Sequence, residues 1–303
     1  KGAIAIGWQS LAGADVYTAG VPGNDINKDN ESKINDYNSW GDMSVGLRAL
    51  ATGGNATALG RNAAATATNA VAIGGGNGNN FNDNTERTQA TAEKATAIGY
   101  NATASGKSAS ALGNKASASA ENAAAIGTSA SASAKDTLAA GSSAAATAEG
   151  ATAVGKAAKA QKTDTTALGS GATASEVNAT ALGKGATASK GDATAVGSGA
   201  KATEVNAIAI GKGSEASKGN AIAIGKEAEA SEVSSTAIGE GATAEKANSL
   251  AIGKTATSGG ENGVAVGNDA QAQAKDALAV GTSTRAQAEN DSVFGHASTA
   301  SGG

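Results

Sequence analysis

Small and bulky apolar residues alternate in short bursts along this chain, and each burst ends on glycine, as in Ala207-Ile208-Ala209-Ile210-Gly211. From Gly99 to Gly295 the closing glycine recurs every fourteen residues, fifteen times in succession. Aligned on that glycine, the residue before it is Ile, Leu, Val or Phe in every copy except Ala140, and the one before that is Ala except at Ser44 and Val293. Alternation with period two predicts a short β-strand whose two faces are buried differently. Three and five residues after the glycine a second pair of small residues follows, as in Ala102 and Ala104 or Ala186 and Ala188, and predicts a second strand. Nine residues after it stands a turn former in most copies: Asn122, Asp136, Asp164, Asn178, Asp192, Asn206, Asn220, Asn248, Asn262, Asp276 and Asn290. Asn and Asp tolerate left-handed backbone, so they mark one corner and the glycine marks the other.

Two strands and two corners in fourteen residues make one coil of a flattened two-sheet roll, with successive coils paired in parallel about 4.8 Å apart. A coil this short cannot bury an apolar face alone, so stability comes from stacking. Traced backwards, the beat runs through Gly74, Gly60 and Gly46 to Gly7 and breaks twice. Gly74 to Gly99 is eleven residues longer than one period and Gly7 to Gly46 is twenty-five longer. The breaks predict insertions at about residues 8–43 and 75–95 within one domain spanning 1–303.

Composition narrows what fills the roll. Of 303 residues, 43 are glycine and only 2% are aromatic, so the core must be thin and made of alanine methyls. The bulky residues then point outward and form a stripe: Ile98, Leu112, Ile126, Val154, Leu168, Leu182, Val196, Ile210, Ile224, Ile238, Ile252, Val266 and Val280. A stripe that long exceeds the apolar patch of a soluble monomer and calls for a partner. Copies of the same chain in a closed cyclic arrangement bury it equally in every subunit.

These residues resemble a known family. Asn69-Ala70-Val71-Ala72-Ile73-Gly74, Asn206-Ala207-Ile208-Ala209-Ile210-Gly211, Asn220-Ala221-Ile222-Ala223-Ile224-Gly225 and Asn248-Ser249-Leu250-Ala251-Ile252-Gly253 are similar to the YadA-like head repeat of trimeric autotransporter adhesins. The resemblance implies an all-β, left-handed parallel β-roll assembled as a homotrimer, with the aliphatic stripe as the trimer seam. It also implies display at the bacterial cell surface, on the outer membrane, by a C-terminal anchor outside this sequence. The chain starts inside a repeat, at Ile4-Ala5-Ile6-Gly7, and reads as a fragment of a longer protein. Thr replaces the first aliphatic of the motif at Thr96, Thr152, Thr166, Thr180, Thr194 and Thr236, which makes that flank more polar than the consensus.

Chemistry is sparse. There is no cysteine, and the single histidine, His296, shares its column with Lys156, Lys184 and Lys212. No catalytic group, metal site or cofactor is expected, and the chain is not expected to be an enzyme. A net charge of −4 carries no overall footprint for nucleic acid. Seven residues after the glycine a column alternates in sign, Lys162, Glu176, Lys190, Glu204, Lys218, Glu232, Lys246, and predicts a ladder of ion pairs between rungs. Most aromatics gather in or beside the insertions: Trp8, Tyr17, Tyr37 and Trp40 with the first, Phe81 and Tyr100 with the second. They are the candidate receptor-binding residues, because loops on a rigid scaffold and aromatic anchors commonly carry binding. The competing reading is that they cap the roll or pack the loops against a neighbouring chain.

The function expected is that of an adhesin head. Family precedents for its partner are host extracellular matrix, with collagen and fibronectin as candidates, and cell-surface receptors of the carcinoembryonic-antigen-related class. Self-association between bacteria is a further precedent. An alternative is an ice- or surface-binding β-solenoid with no protein receptor. That class needs unbroken threonine ranks, and the column Thr173, Thr187, Lys201, Glu215, Glu229, Thr243 is interrupted by charge.

Overall fold

The computed structural model describes residues 3–7, 10–12, 41–76 and 87–302. Among these residues every regular element is a strand. The chain divides into two compact units, Lys1–Gly150 and Ala151–Gly303, each built from the same coil.

One coil of the second unit shows the construction. Ile208–Ile210 runs into Gly211, and Glu215–Ala216 follows on the other sheet. The first strand pairs in parallel with Ile222–Ile224 one coil on, Ile208 opposite Ile222 and Ile210 opposite Ile224, while Glu215 stands opposite Glu229. The partner of each residue is therefore the residue fourteen positions away, and equivalent side chains stack in columns. In the first unit the same holds from Thr96–Ile98 to Leu138–Ala140.

The register also locates the insertions. Val71 pairs with Thr96 and Ala64 with Gln89, so the second insertion falls between Gly76 and Arg87, and Gln89–Ala90 already belongs to the roll. Ile4 pairs with Met43 and Leu11 with Leu50, so Leu11–Ala12 and Met43–Val45 are roll strands on either side of the first insertion. The beat in the sequence measures the length of each insertion; strand pairing fixes where it begins.

The core is alanine. The four inward columns, four and two residues before the corner glycine and three and five after it, hold residues such as Ala207, Ala209, Ala200 and Ala202, all fully buried. Among the described residues, apart from Asp42, Asn62 and Arg87 near the insertions and Val293 in the last coil, every buried residue is Ala, Gly, Ser or Thr. Where a hydroxyl replaces a methyl inside, it usually donates to a nearby carbonyl. Thr137, Thr165, Ser235 and Ser249 each donate 2.6 Å bonds to the carbonyl three residues earlier, and Ser214 and Thr284 do the same at 3.0 and 2.9 Å. A buried polar group without such a partner costs about 1–3 kcal/mol, so these substitutions are tolerated because the corner carbonyl is within reach.

The corner glycines are obligatory for two reasons at once. Gly113 has φ +138°, a conformation that only glycine adopts freely, and a Cβ there would stand 2.6 Å from the carbonyl oxygen of Gly127. The expected Asn and Asp corner is left-handed throughout, from Asn122 at φ 56° to Asn290 at φ 63°. Its side chains also bond up the stack: Asn122 donates to Asp136 at 2.8 Å, Asn206 to Asn220 at 3.2 Å and Asn262 to Asp276 at 2.8 Å.

Candidate binding surfaces

With alanine inside, larger side chains stand outside. In the first unit Ile98 and Ile126 are 39% and 43% exposed, and Leu112 between them is half-buried. In the second unit Leu182 and Ile210 are exposed, and Val154, Leu168, Val196, Ile224, Ile238, Ile252, Val266 and Val280 are half-buried. Strand register aligns the residues of each unit into one column, Leu168 beside Leu182, Leu182 beside Val196 and Ile210 beside Ile224. Each lies on the outward face of its first strand, with the buried alanine of the same strand pointing the other way. The stripe expected from the sequence thus exists within each unit of a single chain.

A second outward column lies on the other sheet, four residues after the glycine. In the second unit it begins Lys159, Thr173, Thr187, Lys201, Glu215, Glu229, Thr243. Lys201 and Glu215 meet at 3.3 Å across the rung spacing. The corner column one residue after the glycine supplies the other inter-rung ion pairs of this unit's middle, Lys226 with Glu240 at 3.2 Å and Glu240 with Lys254 at 3.8 Å. The hydrogen bond from Lys226 holds the Glu240 carboxyl below its ordinary pKa, and the same contact raises that of Lys226.

The alternating column of Lys162, Glu176, Lys190, Glu204, Lys218, Glu232 and Lys246 was the expected site of the ladder, and the ion pairs form elsewhere. Among the described residues none of these seven side chains reaches an opposite charge within 4.0 Å. They sit two residues before the left-handed residue, whereas the paired charges sit on the second strand, at the glycine corner, or at the tip of the Asn and Asp turn, as Glu93 with Lys107 and Lys135 with Asp136. Opposite charges fourteen apart mark both kinds of column, so spacing alone does not separate them.

Of the aromatic candidates, Trp8, Tyr17, Tyr37, Trp40 and Phe81 lie outside the described residues. Tyr100 is half-buried in a regular coil, and its carbonyl accepts a 2.8 Å bond from the Lys115 amide. His296 is exposed near the C-terminal end. Two features escaped the sequence reading. The position two residues after the glycine is a further left-handed corner, filled by Gly171, Gly185, Gly199 and Gly213 but also by Ala157, Glu227 and Thr255. A row of exposed valines, Val177, Val205 and Val233, stands on alternate rungs beside the Asn corner. The recurrence of Glu-Val every twenty-eight residues was its signal.

The model of the YadA head domain repeat matches residues 51–77, 90–116, 104–130, 146–172, 160–186, 174–200, 188–214, 202–228, 216–241, 230–256 and 258–284. Among solved structures the chain is similar to the collagen-binding domain of the Yersinia adhesin YadA, at 22% identity and a TM-score of 0.30, over 53% of this chain and 66% of that one. It therefore spans just under two thirds of that relative. No curated protein matches. The matched repeats cover more than half of the residues and fall in both units, each on coils with the alanine core and outward aliphatic column described above; the chain belongs to the YadA head domain repeat family and is an adhesin head.

Proposed function

We infer that this head works as a homotrimer, with the aliphatic column as its seam, and binds host extracellular matrix or a host cell-surface receptor. The observation that carries the reading is the inversion of the roll: fully buried alanines inside and Ile, Leu and Val left half-buried or exposed outside. Full burial of such a side chain contributes about 1.5–3 kcal/mol, so covering the uncovered part of each rung's aliphatic contributes on the order of 1 kcal/mol. Repeated rung after rung, that gain favours a partner with the same periodicity, which is another copy of the chain.

Three identical outer faces let weak single-site contacts act together, so that avidity replaces affinity. The two insertions, with Trp8, Tyr17, Tyr37, Trp40 and Phe81, and the neighbouring Tyr100, are the proposed receptor contacts. Collagen, fibronectin and carcinoembryonic-antigen-related receptors are the candidate partners, with self-association between heads as a further outcome. The test is binding of the chain to an array of matrix proteins and receptor ectodomains, beside a variant lacking residues 13–40. Binding of the intact chain with loss in the variant supports the reading. Full binding by the variant removes the first insertion from it, and no binding to any member of the array overturns it. The ice-binding alternative is disfavoured by Lys201, Glu215 and Glu229, which break the threonine rank on the second sheet.

A further inference from the structure

Over its first coils the second unit confines its acids to one face. Between residues 151 and 213 the acids Asp164, Glu176, Asp192 and Glu204 all belong to the Asn and Asp corner, seven or nine residues after the glycine. The glycine corner and the second sheet of the same coils carry only lysines: Lys156, Lys184 and Lys212 on the corner, Lys159 and Lys201 on the sheet, all exposed. Glu215 pairs with Lys201 and closes the patch at one end. Among the described residues the other four lysines have no carboxylate within 4.0 Å.

The corner lysines are held in line by the backbone. The Gly171 amide donates to the Lys156 carbonyl at 2.8 Å, Gly185 to Ser170, Gly199 to Lys184 and Gly213 to Ser198 at 2.9 Å, so lysine and serine alternate up the stack. Lysines on every second rung recur about 9.6 Å apart, twice the strand spacing. Between them the surface is bare: a Cβ at Gly171, Gly185 or Gly199 would meet nothing within 4 Å. On the adjoining sheet the Thr173 and Thr187 hydroxyls stand between Lys159 and Lys201.

We propose that this strip binds a linear sulfated polysaccharide, laid along the stack with its sulfates on Lys156, Lys184 and Lys212. The proposal rests on the adhesin reading above and names one class of matrix ligand for it. A straight row of cations one disaccharide apart suits a polymer whose charge recurs with its sugar repeat, and clustered lysines attract such polyanions at long range. The strip contains no aromatic side chain on which a base could stack, which disfavours single-stranded nucleic acid. It lies on the corner and on the sheet opposite the aliphatic column, so covering that column leaves the second-sheet lysines open.

The experiment measures binding of the whole chain to immobilised heparin, with desulfated heparin and double-stranded DNA as competitors. The variant K156S/K184S/K212S places in the strip the residue that Ser170 and Ser198 already hold there, so the fold has accepted it. The control K162S/K190S/K218S removes equal charge from the acidic corner. Expected are binding that weakens steeply with added salt, a loss of at least tenfold in the strip variant, near-native binding in the control, and competition by neither competitor. No binding to heparin, equal loss in both variants, or equal competition by desulfated heparin or DNA overturns the proposal. The array of matrix proteins and receptors is read separately, so failure here is distinguishable from failure of the adhesin reading.

Discussion

The hydroxyl oxygen of Ser258 lies 2.7 Å from the point where a Cβ on Gly263 would sit. Both positions hold alanine in the next coil, as Ala272 and Ala277, so one methyl has become a hydroxymethyl and the facing one has been deleted. The Ser258 hydroxyl is buried there without a hydrogen-bond partner. Gly263→Ala crowds that oxygen and also the Gly260 carbonyl, 2.9 Å from the same point, and is expected to cost about 1–3 kcal/mol, the usual range for overpacking. Ser258→Ala/Gly263→Ala relieves the first contact and removes the unpaired hydroxyl. Denaturant unfolding of the four proteins in the cycle should give a coupling of about 1 kcal/mol or more; additive effects would show that the two sites do not share the space.

Glycines of this roll are predicted to differ sharply by column. Gly113→Ala places a Cβ against the Gly127 backbone in a conformation alanine avoids, and should destabilise by roughly 3 kcal/mol or more. Gly185→Ala, at φ +66° with open space around it, should cost only about 1 kcal/mol. Thermal unfolding of the two variants checks the order, and similar losses would contradict it.

Thr255 is a β-branched residue held at φ 54°, in a column where Gly171, Gly185, Gly199 and Gly213 take the same conformation without a side chain. Left-handed backbone costs a residue with a Cβ about 1–2 kcal/mol. Thr255→Gly is accordingly expected to raise the unfolding temperature, by the equivalent of about 1 kcal/mol once the extra freedom of the unfolded chain is subtracted. A lower temperature would mean that the Thr255 hydroxyl bond to the Lys254 carbonyl, 2.7 Å long, outweighs the strain.

Which parts of this design can be read without coordinates follows from how strictly each column is constrained. The corner glycine tolerates no other residue, so its beat shows in the letters, and the alanine columns show because little more than a methyl fits between the sheets, with Ser, Thr or Val only now and then in its place. The corner after the glycine is less visible because left-handed backbone is merely costly there, and Ala157, Glu227 and Thr255 blur the glycines that would mark it. The columns that form ion pairs are hard to tell apart for a similar reason. Lys162, Glu176 and Lys190 alternate as regularly as Lys226, Glu240 and Lys254, yet only the second set comes within bonding distance.

Glu240 also sets an acid-side expectation. Its folded pKa is depressed, first by the hydrogen bond from Lys226, so its contribution is present above the ordinary carboxylate value and is lost as pH falls through the lowered one. All three side chains of the Lys226, Glu240, Lys254 set are about half exposed, so solvent screens them and the contribution is small. Glu240→Gln should slightly flatten the fall of unfolding temperature across the carboxylate range, and added salt should erase the difference from the parent. A difference that persists in high salt would point to a role beyond this surface pairing.

The most direct test of the account is the mass of the chain in solution by sedimentation equilibrium at micromolar concentration. A seam formed by Leu182, Ile210 and the other outward aliphatics predicts a species of three chain masses. A single chain mass would leave every one of those side chains facing water and would contradict the trimer, and with it the reason the roll puts alanine inside and its larger residues out.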